Sequence, residues 1–214
     1  MYALVESGSI TKIFTNPKGF VLNNTQYPAD IFSKWTKAEK EAIGIYEVIT
    51  DSTNKKDEEY FINTNEEYNY ADNQVTRSWG TATPKLLEDR DEVWSQEQID
   101  NGNAPDGTSA GDPHLDSDGN QIVTKGLKSQ KKQIIKSQAS GLLSPTDWYV
   151  VKATEVEDYN VPANITTFRA DVRAKSNEME TQIDACTTVE QLETLYTRDE
   201  NGTRPLAEFP KEVV

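Results

Sequence analysis

Apolar residues along the chain fall in short clusters separated by polar stretches, and the spacing within each cluster predicts an element. "YALVE" and "ITKIF" flank "SGS", strand-forming runs on both sides of a Gly-containing turn, which predicts an N-terminal hairpin. "GFVLNNTQYP" reads as an extended segment. In "WTKAEKEAIGIYEVI", Thr36 suits a helix N-cap, Glu39 completes a capping box, and Gly44 stands where a short helix ends. "IYEVI" then alternates as a strand. "EEYFINTNEEYNYADNQVTRSW" reads as a second hairpin turning at "ADNQ", with Tyr60 and Ile62 on one face and Phe61 on the other.

Residues 84–100 return to helical character, with Leu87, Val93 or Trp94, and Ile99 as contacts. Residues 101–120 are mostly Gly, Pro, Asp, Asn and Ser, without an apolar period, and read as a linker. That places a boundary between a small β-rich domain, 1–100, and a helical module, 121–214.

After the linker a short strand leads into a helix over 127–142, with Leu127, Ile134, Ile135, Ala139 and Leu142 as a partial apolar stripe. "DWYVV" reads as a compact strand. Pro162 opens a longer amphipathic helix, in which Ile165, Phe168, Val172, Met179, Ile183 and Cys186 recur at helical spacing above a charged face. Lys175 and Ser176 interrupt this stripe, which favours a helical hairpin with 127–142 over a sustained coiled coil. "TTVEQLETLY" starts a last helix, capped by Thr188 with Gln191 closing the box. The expected fold is α+β: a small antiparallel N-terminal sheet with a short helix, a long Gly/Asp/Pro-rich linker, and a mainly helical C-terminal module.

Composition narrows the classes. Hydrophobic residues make up 35% of 214, so small cores are expected, anchored by four Trp, nine Tyr and six Phe. The net charge of −14 opposes binding to phosphate backbones and to anionic membranes. Neither nucleic acid nor a membrane is an expected partner. A single Cys, Cys186, allows no intrachain disulfide, and with a single His, His114, no multi-His/Cys zinc site is expected. The first residues have neither the basic nor the apolar region of a signal peptide, and no apolar run is long enough to span a membrane. Without a secretion signal, the Asn-x-Ser/Thr patterns at Asn23, Asn164 and Asn201 read as chance.

Candidate chemistry is sparse. Asp116, Asp118 and Asn120 imitate the start of a calcium loop, but Gln121 stands where the loop needs Gly and Leu127 where it needs Glu, so a turn is expected. His114, between Asp112 and Asp116, reads as solvated. No nucleophile elbow or phosphate loop is present, and no catalytic, cofactor-binding or metal-binding residue is expected. Residues 125–136 hold five Lys and no acid, which reads first as the solvated face of a helix, and otherwise as a surface for an acidic partner or for pairing with the acidic N-terminal half.

Two sets of residues carry a resemblance. In the C-terminal half they are Leu142, Leu143, Thr146, Asp147, Trp148, Pro162, Phe168 and Arg169, followed by Arg173. This helix, "LL..TDW", Pro and aromatic-Arg pattern resembles the C-terminal module of tail-fibre assembly and tail assembly chaperone proteins of tailed bacteriophages, and of related virion proteins. That family often has Tyr where this chain has Phe168. In the N-terminal half, Tyr27, Pro28, Trp35, Glu39, Lys40, Ile43, Gly44 and Ile45 are similar to a module of phage tail and fibre-associated proteins.

Together the matches span about half the chain. The resemblance implies a non-enzymatic structural protein of the virion, in the tail or tail-fibre region. It would be present in several copies, joined to other tail or fibre proteins by protein–protein contacts, and would pass through the host cytoplasm during assembly. The alternative it implies is a transient tail-fibre assembly chaperone absent from the mature particle. A weaker alternative, host-glycan binding, rests on Trp79 and Trp94 as exposed stacking aromatics. Within the module, Trp148 is expected to be a buried anchor and Asp147 a cap, with Arg169 and Arg173 meeting acids from one helix face.

Overall fold

Three two-residue turns organise the first eighty residues. In a computed structural model describing residues 1–211, Ser7 and Gly8 (φ 52° and 80°) join β1 (Tyr2–Glu6) to β2 (Ser9–Phe14). Consecutive left-handed residues give a turn whose twist matches that of the paired strands. Asn23 and Asn24 do the same between β3 (Phe20–Leu22) and β4 (Thr25–Tyr27), so the expected extended segment is itself a hairpin. The chain continues through α1 (Ile31–Lys34), α2 (Lys37–Ala42), β5 (Ile45–Thr50) and β6 (Phe61–Ile62). Asp72 and Asn73 make the third such turn, between β7 (Glu66–Ala71) and β8 (Gln74–Trp79). The second hairpin therefore starts at Glu66. Tyr60 and Phe61 are both buried beside a turn on Asp57, and Ile62 is exposed, so strict alternation does not hold there.

The main sheet has the order β2-β1-β5-β8-β7. Its neighbours are antiparallel except β5 and β8, which run parallel. Alternation along β1 sends Leu4 to a core with Phe14, Phe20, Ile31, Phe32 and Ile45, and sends Ala3 and Val5 to a second core with Val75. The edge strands β2 and β7 also approach each other, so the sheet is curled. At α2 the Thr36–Glu39 capping box forms in full.

The chain divides into two compact units, Met1–Thr83 and Pro84–Val214, with β9 (Thr83–Pro84) at the division. The boundary thus falls well before the predicted linker at 101–120. Residues 84–100 are not a long helix: only α3 (Gln96–Asp100) is helical, after β10 (Arg90–Asp91). The reason is local to the second unit. The Leu86 and Leu87 carbonyls accept the first N–H groups of a later helix, from Leu127 at 2.8 Å and Lys128 at 3.1 Å, and β10 pairs with β11 (Val123–Thr124). Residues 101–120 fold back onto the same strip. Trp94 N–H donates to Asp112 O, His114 N–H to Glu92 O, and Ile122 N–H to His114 O, each at 2.9 Å. Polar composition marks a loop, but a loop whose backbone groups are paired is not a linker.

Beyond it lie α4 (Leu127–Leu143), a 3-10 turn (Ser144–Thr146), α5 (Asp147–Glu155), α6 (Ala163–Asp184) and α7 (Val189–Tyr196). α4 and α6 form the expected antiparallel hairpin, meeting through Ala139, Phe168 and Val172. All six apolar positions predicted from Ile165 to Cys186 are buried. On α4, Ile134 is exposed, and the buried face instead includes the stems of Lys128 and Lys131. At α7, Thr188 caps as expected, but the Gln191 amide oxygen accepts from Thr187 and so closes the box one residue early.

Candidate interaction surface

The residues of the N-terminal resemblance build scaffold. Tyr27 stacks on Phe20 (centroids 5.3 Å apart, planes at 17°) and meets Trp35 edge-on at 6.0 Å, which fastens the β3–β4 hairpin to the end of α1. The Pro28 carbonyl accepts the Ile31 N–H at the start of α1. Gly44 has φ 81°, and a Cβ there would lie 2.5 Å from the Val5 carbonyl oxygen, while its own carbonyl accepts the Val5 N–H at 2.8 Å. Close passage of β1 requires glycine at this position.

The C-terminal set converges on one point. Arg169 of α6 is buried. Its Nη1 donates to the Leu143 carbonyl at 3.0 Å and to Thr146 Oγ1 at 2.6 Å, and Nη2 lies 2.8 Å from the Asp147 carboxylate. Thr146 Oγ1 in turn donates to the Leu143 carbonyl at 2.7 Å. One guanidinium thus satisfies the end of α4 and holds the start of α5. Phe168, next to it, fills the core between α4 and α6, and Pro162 occupies the N-cap of α6. Arg173 meets no acid at its Nη1; it donates to the Arg169 carbonyl at 3.3 Å.

"DWYVV" is the first turn and a half of α5, not a strand, and Trp148 is not a core anchor. Its β-branched residues favour strands only weakly, and the Arg169 network sets the local backbone instead. α5 contains no buried residue. Trp148 is 51% exposed and Val151 52%, and Val150 and, just beyond the helix, Val156 are exposed too. The Lys152 ammonium lies 5.8 Å from the Trp148 ring centroid and 4.3 Å from that of Tyr159, which fixes an aromatic–cation–aromatic strip along this face. Glu155, Glu157 and Asp158 follow, and form no ion pair among the described residues.

The lysine-rich stretch is not a free basic surface. Lys125 pairs with Asp89 at 2.8 Å, Lys132 with Asp184 at 2.7 Å and Lys136 with Glu180 at 3.3 Å. Lys128 is buried against Glu88 and the Asp184 carbonyl, and the Lys131 ammonium sits 4.3 Å from the Tyr196 ring centroid. The Asp89 carboxyl, bonded to Lys125, Ser129 and the Gly126 N–H, is held down to about 2.

Other candidates resolve into structure. Asp116 accepts the Asp118 and Asn120 N–H groups, both at 2.9 Å, and these bonds, Asn120 first, lower its pKa; it makes a turn. No group of three or more His, Cys, Asp and Glu among the described residues is placed to hold a metal. His114 is half-buried and lies against Trp94, ring centroids 3.9 Å apart, beside an open cleft of about 500 Å³. Trp79 is buried under Arg77 and Lys55, which removes it as an exposed stacking aromatic. Cys186 is buried, and burial pushes its thiol pKa up.

No described helix is long and apolar enough to cross a membrane. Comparison with known families, curated proteins and solved structures returns no match. Fold and surface define a two-unit α+β protein with a curled, antiparallel-rich sheet in one unit and, in the other, a helical module that holds one short apolar helix outward.

Proposed function

We propose that this chain is a non-enzymatic structural protein of a tailed-bacteriophage virion, in the tail or tail-fibre region, that joins other tail or fibre proteins through protein–protein contacts. The observation that carries this reading is α5: nine residues, none buried, fastened at one end by a buried arginine. A helix of that length gains little from its own hydrogen bonds in water, so its apolar face fits a role completed by another chain. The resemblance adds weight because Thr146, Asp147 and Arg169, which carry it, form that fastening.

Quantitative mass spectrometry of purified particles tests the reading. Stoichiometric presence supports a structural component. Recovery only from infected-cell lysate, bound to a fibre protein, replaces it with the transient chaperone. Absence of the chain from both overturns it.

A further inference from the structure

We propose that the outer face of α5 docks on a partner protein whose contact surface is an apolar groove bordered by lysines or arginines. This deepens the assembly reading, on which it rests for the occupant being a protein.

The apolar half of the proposal comes from Trp148 and Val151, both half-exposed and three positions apart, so that they share one face of α5. Apolar side chains exposed side by side on a helix mark interaction surfaces, and a tryptophan among them is a common anchor. The face is also ordered before any partner arrives. Arg169 fixes the start of α5, and Lys152 lies between the Trp148 and Tyr159 rings. These contacts reduce the side-chain freedom that Trp148 loses on docking.

The charged half comes from the other end of the helix. Glu155, Glu157 and Asp158 cluster at and beyond its last turn without ion-pair partners among the described residues. Carboxylates at a helix C-terminus oppose the helix dipole, so the free protein holds unfavourable charge there that cations from a partner relieve. A second copy of this chain does not supply them. It brings another −14, and its cations at this face are engaged, Arg169 by Asp147 and Lys152 by two rings. The occupant is therefore a different, basic-rimmed protein.

The test titrates the full-length chain with an amphipathic helical peptide of Leu and Lys, and with its Leu and Glu counterpart, at low and moderate salt. The Leu/Lys peptide is expected to bind and the Leu/Glu peptide not. Val151→Asp should weaken binding by about tenfold or more, the range of a hot-spot loss, although it adds negative charge. That sign separates docking on α5 from diffuse attraction to an acidic surface. The combined Glu155→Gln, Glu157→Gln, Asp158→Asn variant should bind more weakly and lose most of the salt dependence.

Val151 is half exposed, so an unchanged thermal melt confirms that the variant folds. Equal binding by Val151→Asp overturns the proposal. So does concentration-dependent dimerisation in sedimentation that Val151→Asp abolishes, which assigns the face to a second copy. The titration reports the face and particle mass spectrometry reports carriage in the virion, so either can fail without the other.

Discussion

Arg169 places its guanidinium 2.8 Å from the Asp147 carboxylate, with the arginine side chain 11% exposed and the aspartate 58%. The two ends of this ion pair therefore differ in energy. On the buried side, Arg169 also serves the Leu143 carbonyl and Thr146 Oγ1. Arg169→Met leaves both without that donor and should lower stability by about 2–3 kcal/mol, the scale of losing hydrogen bonds from a charged group. Asp147→Asn removes only the solvent-screened partner and should change stability by less than about 1 kcal/mol. Urea unfolding of the two variants measures the asymmetry; equal losses would contradict it.

Trp148 and Phe168 form a second contrast. Phe168→Ala empties a buried position between α4 and α6 and should destabilise by about 3–5 kcal/mol. Trp148→Ala removes a half-exposed ring and should shift the melt by less than about 1 kcal/mol. A large loss at Trp148 would mean that α5 packs inward.

Glycines at two positions should fail for different reasons. Gly44→Ala meets both a left-handed φ of 81° and the Val5 carbonyl oxygen at 2.5 Å. Gly126 has an ordinary φ of −74°, but a Cβ there would run into the Glu88 carbonyl. Each alanine variant should lose more than about 2 kcal/mol. Gly8→Asn, also left-handed but with open space around it, should be nearly neutral. Thermal melts of the three variants give the order.

Asp89 predicts a pH dependence. Its carboxyl is held down to about 2 from an ordinary 3.8, by Lys125 first, then Ser129 and the Gly126 N–H. A depressed folded-state pKa means stabilisation that is fully present above the unfolded value and lost as pH falls through the folded one. Asp89→Asn should therefore be less stable than the parent near neutrality, and the gap between them should close between about pH 4 and pH 2. Urea midpoints across that range follow it. A gap that stays constant with pH would show that the Asp89 charge is not what holds Gly126.

What the sequence made legible was local. The turn after Glu6, the Thr36–Glu39 box, the Asp72–Asn73 turn and the stripe from Ile165 to Cys186 each depend on residues a few positions apart, and all form. The larger misreadings share one cause, a partner distant in sequence, whereas the Asn23–Asn24 hairpin, the turn on Asp57 and the box closed at Thr187 are local. Residues 84–91 stay extended because α4, about forty positions on, takes the Leu86 and Leu87 carbonyls. "DWYVV" coils because Arg169 holds the turn before it. Residues 101–120 are ordered by hydrogen bonds to Glu92 and Trp94, which composition does not reveal. Four of the five lysines are paired by acids at 88, 89, 180 and 184, two of these acids in the N-terminal half, and Lys131 lies over the Tyr196 ring. For the interaction surface, the residues were visible and their exposure was not: Trp148 reads as core by residue type, and only the fold turns it outward.

Photo-crosslinking tests whether α5 meets another protein in the particle: p-benzoylphenylalanine is placed at position 151 of the chain made during infection, with the exposed position 201 as control. Irradiated, purified particles should yield an adduct from position 151 joining the chain to a different tail or fibre protein, and not from position 201. Particles that lack the chain, or that contain it without an adduct from position 151 to another protein, would contradict an assembly role for α5.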